Sequence, residues 1–263
     1  MGIIEAVKKG FGIASKGMGL VLVLFGFNLV GNLASLPFTP APGAAAEASA
    51  AVPLLIVSFI FIIISIFVQG GTLGLVKDAL KEGKMKLGSM VQYGAKYFVR
   101  LLVLGIVILL TVIIVALVAG LIVALTAPLN NNVITALAII IASAIVIATA
   151  LYFFIPFALS PYAVVCDEMD AIASLKKSIE VARKPFVKVF SLLLLIVVLV
   201  LIALGVGFVI GLVVGLLSAI LPAAAARILM LVVSSAVNGY LGVVATTAFM
   251  AYYLSAKQVT AKL

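Results

Sequence analysis

Six long apolar runs without a single charge, parted by clusters of lysine and arginine, constrain this chain more than any motif in it. The runs span residues 17–36, 52–76, 101–129, 133–165, 189–221 and 228–256. A spanning helix needs about 20 mostly apolar residues, so each run is long enough to cross a bilayer. Sixteen of the seventeen basic residues fall in four patches: Lys8, Lys9 and Lys16; Lys77 to Arg100; Lys176 to Lys188; and Lys257 and Lys262. Only Arg227 lies elsewhere. Cytoplasmic loops carry surplus Lys and Arg. Counting on that rule predicts six transmembrane helices, both termini in the cytoplasm, and a multi-pass protein of the cytoplasmic membrane.

Composition agrees and removes most alternatives. A chain with 66% hydrophobic and 10% charged residues is far from the roughly 45–50% apolar and 25% charged balance of soluble domains. The formal net charge of +9 is topological in origin, and a nucleic-acid partner is not expected because no soluble face presents a basic stripe. With no His and one Cys, zinc-histidine sites, a Ser-His-Asp triad and an internal disulfide are excluded. No cofactor is implied. The lysines and apolar run at the N-terminus mimic a signal peptide. The small residues lie well beyond the end of that run, so an uncleaved first span is expected.

Stretches resembling one another precede the first, third and fifth runs: Ile4-Glu5-Ala6-Val7-Lys8-Lys9, Ser89-Met90-Val91-Gln92-Tyr93-Gly94-Ala95-Lys96, and Ser174-Leu175-Lys176-Lys177-Ser178-Ile179-Glu180. The resulting reading is one all-α membrane domain, residues 1–263, built as three hairpins over about 3–80, 87–165 and 172–256. Each hairpin is preceded by an amphipathic elbow helix in the interface. In the third elbow Ile172, Leu175, Ile179, Ala182 and Phe186 share a face expected to meet acyl chains. Lys8, Lys9, Lys96, Arg100, Lys176, Lys177, Arg183 and Lys184 are the candidate contacts for anionic lipid headgroups.

No ionisable residue falls mid-span, which weighs against proton-coupled transport. The neutral polar residues Asn28, Asn32 and Asn238 are candidates to line a cavity, although hydrogen bonding between packed helices is the stronger reading. Gly207, Gly211 and Gly215 recur every fourth residue and form a candidate helix-packing face, within the chain or in a homo-oligomer. Gly26, Gly31, Gly239 and Gly242 offer further close contacts. Pro156 is expected to kink the fourth span, and Pro161 to bend or end it. Asp167, Glu168 and Asp170 could together attract a divalent cation. The simpler expectation is that they meet the N-terminal dipole of the third elbow, and no metal site is assigned.

The stretch Pro161-Tyr162-Ala163-Val164-Val165-Cys166-Asp167-Glu168, followed by Ala171, Ser174, Leu175, Lys176, Lys177 and Ser178, resembles a functionally uncharacterised set of six-helix prokaryotic membrane proteins. That set includes the membrane domain attached to some glycerophosphodiester phosphodiesterases. The resemblance implies the fold and a prokaryotic membrane setting. It implies no phosphodiesterase activity, because the catalytic domain has no counterpart in this sequence. The expected function is a non-enzymatic membrane protein that binds or organises lipids or partner membrane proteins. A pore or transporter for an uncharged or hydrophobic solute is the alternative, and a lipid-modifying enzyme a distant third.

Overall fold

A computed structural model describes residues 1–38, 48–126, 132–149, 152–153, 157–183, 186–217 and 222–260. No strand occurs among the described residues. The helices are α1 (Ile3–Lys16), α2 (Met18–Ser35), α3 (Ala48–Glu82), α4 (Met90–Ala124), α5 (Asn132–Thr149), α6 (Ser160–Cys166), α7 (Ala171–Arg183), α8 (Phe186–Leu217) and α9 (Ala223–Thr260). Among the described residues five apolar stretches are long enough to cross a membrane: Met18–Phe38, Val52–Glu82, Leu87–Ala124, Phe186–Val214 and Ala224–Gln258. Their side chains require hydrocarbon as solvent, since Leu55, Phe59 and Leu117 are each about two-thirds exposed. The chain is a multi-pass helical membrane protein.

The expected fourth span is not one helix. Among the described residues α5 covers Asn132–Thr149. A turn at residues 158–159 then sets off the seven-residue helix α6. Pro161 stands in the first turn of α6, where a missing N–H costs nothing. It starts a helix here and does not end one. Pro156 and the turn residues Asn130 and Asn131 lie outside the described residues.

Two elbow expectations need correction. The second elbow is no separate helix, because α4 runs unbroken from Met90 through Arg100 to Ala124. A rise in hydropathy at residue 101 does nothing to the backbone, and no Pro or Gly punctuates the helix between Lys96 and Leu101. In the third elbow, α7, the buried face is Ala171, Ser174, Leu175, Ser178, Val181 and Ala182, turned onto protein, while Ile172 is exposed. The small residues let α6 lie close, and the two helices share a buried hydrogen bond. Helix α1 is the separate amphipathic helix expected, detached from α2 at Gly17, but its buried face likewise turns onto protein, against α9.

Burial is concentrated at one end. The core is built from Leu73, Leu75 and Val76 of α3, Tyr97, Leu101 and Leu104 of α4, nearly all of α6, and Val243 to Tyr253 of α9. Towards the other end α3, α4 and α8 stand mostly exposed. The most extensive packing joins α3 to α4 and α9 to both α1 and α2. Buried surface is thus not partitioned into three self-contained hairpins. Close approach carries these contacts. A Cβ on Gly10 would sit 2.5 Å from the Val244 carbonyl oxygen, and one on Gly239 would sit 2.8 Å from the Phe25 amide nitrogen.

Identical substitutions should therefore part company. Gly239→Ala pushes α2 off α9 and should lower the melting temperature in detergent, an overpacking cost of about 1–3 kcal/mol. Gly207→Ala, whose Cβ would meet nothing within 4 Å, should leave it unchanged or slightly raised, because Ala favours helix over Gly.

Candidate functional site

Four consecutive residues, Val165 to Glu168, organise the buried end of the molecule. Helix α6 brings them there by burying Ser160 and Tyr162 to Val165. Tyr162 stacks on Phe249 of α9 with ring centroids 5.9 Å apart, and Ser160 Oγ and Ser178 Oγ lie 2.8 Å apart across α6 and α7. The Val165 carbonyl accepts hydrogen bonds from Lys77 Nζ at 2.8 Å and the Tyr97 hydroxyl at 3.5 Å. The Asp167 carboxylate accepts from the Tyr253 hydroxyl at 2.6 Å and pairs with Lys257.

Glu168 turns the chain between α6 and α7. Its φ is +56°, the left-handed conformation that usually calls for Gly just past a helix end. Three partners hold it there. Arg100 Nη1 donates to its carbonyl oxygen at 2.7 Å, Lys96 Nζ lies 2.7 Å from its carboxylate, and Lys77 Nζ lies 3.5 Å away. The hydrogen bond from Lys96, with its charge, holds the Glu168 carboxyl below its ordinary value. Burial pushes the neighbouring Cys166 thiol up to about 11, so it stays protonated at neutral pH and is a poor nucleophile.

The acids at 167 and 168 are thus counter-ions for α3, α4 and α9, not dipole partners of α7. Among the described residues no group of three or more metal-ligating side chains converges. Two of the candidate headgroup contacts, Lys96 and Arg100, have their nitrogens on Glu168.

The remaining lysines gather around this hub. A cleft of about 510 Å³ lined by Glu5, Lys9, Lys81, Ser255 and Gln258 brings the ends of α1, α3 and α9 together. All four basic patches therefore reach the same end of the bundle. Lys8, Lys9, Lys16, Lys81, Lys84, Lys86, Lys176 and Lys188 are exposed, and none of them has an acidic partner among the described residues. Lys177 pairs with Glu180 at 3.0 Å. The Arg183 side chain and all of Lys184 lie outside the described residues.

A second feature opens on the lipid side. Helices α8 and α9 are held apart by a groove of about 530 Å³ whose lining includes Leu199, Ala203, Gly207, Met230, Asn238 and Leu241. The three asparagines do not share one space. Asn32 Nδ2 donates to Ser235 Oγ at 3.0 Å across the α2–α9 contact, and Asn28 is half-buried one turn earlier. Asn238 is exposed in the groove. Gly207 faces open space there and Gly211 meets only the Met230 side chain, at 3.2 Å; the surroundings of Gly215 lie outside the described residues. The tight approaches fall instead at Gly10, Gly71, Gly94 and Gly239. In α3 the pair Gly70 and Gly74 carries the same four-residue spacing and could have been found by it.

A family described as a domain of unknown function (DUF7847) matches residues 1–256, and the chain belongs to that family. No curated protein and no solved structure matches it.

The pairing at Glu168 fixes a pH dependence. Its folded-state pKa is depressed from 4.5, so its stabilisation is complete above that ordinary value and is lost as pH falls through the lowered one. Glu168→Gln should melt below the parent at pH 7 in detergent. The gap should close as the pH is taken down through the acid range.

Proposed function

We propose that this DUF7847 member is a non-enzymatic protein of the cytoplasmic membrane that binds and organises anionic lipids through its cationic end. The observation that carries this reading is the division of labour among the charges. The Asp167 and Glu168 carboxylates are used up in the hub on Lys77, Lys96 and Lys257. A rim of exposed lysines on α1, the α3–α4 turn, α7 and the start of α8 is left without acidic partners. Near an anionic leaflet each such charge contributes about 1 kcal/mol. Helix α1 supports the reading further, with Ala6, Val7, Gly10 and Ala14 buried and Lys8 and Lys9 outward.

Orientation follows from the same rim, since surplus Lys and Arg face the cytoplasm. Helix α1, which precedes the first span, packs on the C-terminal part of α9, which follows the last. Both therefore belong on one side, which takes an even number of crossings. The five long helices plus α5 supply six. The alternative, a pore or transporter, is less supported, because Asn32 is tied to Ser235 and the asparagines line no common path.

Reversal of three rim charges, Lys8→Glu, Lys9→Glu and Lys176→Glu, tests the proposal without touching the hub. At about 1 kcal/mol per charge lost, retention of phosphatidylglycerol against phosphatidylcholine in native mass spectrometry should fall by about a hundredfold. Unchanged retention would defeat the reading.

A further inference from the structure

We infer that the groove between α8 and α9 is a binding site for a neutral long-chain lipid bearing a carbonyl group at mid-membrane depth, held by Asn238. The groove volume of about 530 Å³ lies within the roughly 300–1,000 Å³ of small-molecule sites, which are mostly apolar with a few placed polar groups. Its lining is aliphatic apart from Ser234, Asn238 and the aromatic Phe208. The Ser234 hydroxyl donates to the Leu231 carbonyl at 3.1 Å. Asn238 makes no hydrogen bond to any described residue, so its two N–H donors and its carbonyl face the groove unmatched.

Depth selects the ligand. Asn238 stands about 16 Å of helical rise beyond Arg227, near the middle of a hydrocarbon core of about 30 Å. The ester and headgroup atoms of a phospholipid lie at the interface and do not reach it, and acyl tails offer no polar atom. No ionisable side chain lines the groove, which excludes a charged ligand, because an unpaired charge at this depth is costly. A carbonyl is the polar group easiest to carry there: it brings lone pairs for the Asn238 N–H and no donor of its own to satisfy. The inference is independent of the lysine rim, so the charge-reversed protein should behave as the parent in its test.

The test uses the full chain in phosphatidylcholine nanodiscs and a diazirine-bearing ketone with its carbonyl at mid-chain. Photolabelling should map to peptides covering residues 196–208 and 230–245. An unlabelled ketone should compete several-fold, up to about tenfold, better than the alkane of equal length, the range expected of one intramembrane hydrogen bond. Asn238→Leu should abolish that preference without lowering the melting temperature, since it breaks no bond within the protein. Asn238→Gln, which keeps the amide, should retain part of it. Equal competition by ketone and alkane, or an intact preference in Asn238→Leu, overturns the inference. So does labelling outside the groove. Efficient disulfide cross-linking of Asn238→Cys in a Cys166→Ser background, with loss of labelling, would mean that a second copy fills the groove and would also overturn it.

Discussion

Six donors from three helices converge on the four residues Val165 to Glu168, and the rest of the packing depends on that convergence. Lys77 comes from α3, Tyr97, Lys96 and Arg100 from α4, and Tyr253 and Lys257 from α9 serve Asp167. The ion pairs at exposed Glu168 are individually weak. Asp167 differs: its side chain is 5% exposed, so losing Lys257 or Tyr253 would strand a desolvated carboxylate, the expensive way to break such a contact. Glu168 adds a geometric lock. A left-handed turn in a residue with a Cβ costs about 1–2 kcal/mol and persists only where its surroundings impose it, as the Arg100 contact to its carbonyl does here.

Once α6 is fixed in this way, the hydrophobic effect acts in only part of the molecule. At the hub end, water would otherwise reach Tyr162, Val164, Leu175 and Val181, and burying them is favourable in the ordinary sense. Within the bilayer that drive disappears, because lipid tails are as apolar as Leu or Val. Association there must rest on close backbone contact and hydrogen bonds. It is at Gly239 and the Asn32–Ser235 pair that such contacts occur. Where α8 lacks them, it stands off.

Much of the secondary structure was legible for one reason: a spanning helix announces itself by the absence of charge. The first run, 17–36, became α2 at Met18–Ser35, and α1 showed its amphipathic faces in advance. What could not be read was pairing. Nothing in the spacing of Lys96, Arg100 and Lys257 tells that they bond to a turn 68 to 90 residues away, so they looked the same as Lys8 or Lys176. Hydropathy also overstates breaks and understates them. It implied an elbow where α4 is continuous, and one unbroken span where a turn at residues 158–159 sets α6 apart. The spacing of Gly207 and Gly211 was real, but small residues only permit approach, and among the described residues only the Met230 side chain comes near, at Gly211.

The position of α8 follows from how it is held. Val189 and Leu192 bury its first turns against the hub end, and Val214 is buried near the far end. Between them Leu201, Leu204 and Phe208 are each more than half exposed. A helix pinned at both ends and free in the middle can part from its neighbour without losing buried contacts, so the groove costs the fold little. In water such a gap would collapse under the pressure to hide apolar surface. In a bilayer it does not, because the solvent is itself apolar and fills the space at almost no penalty. The exposed amide of Asn238 is then the one group in that region whose energy depends on what the solvent contains.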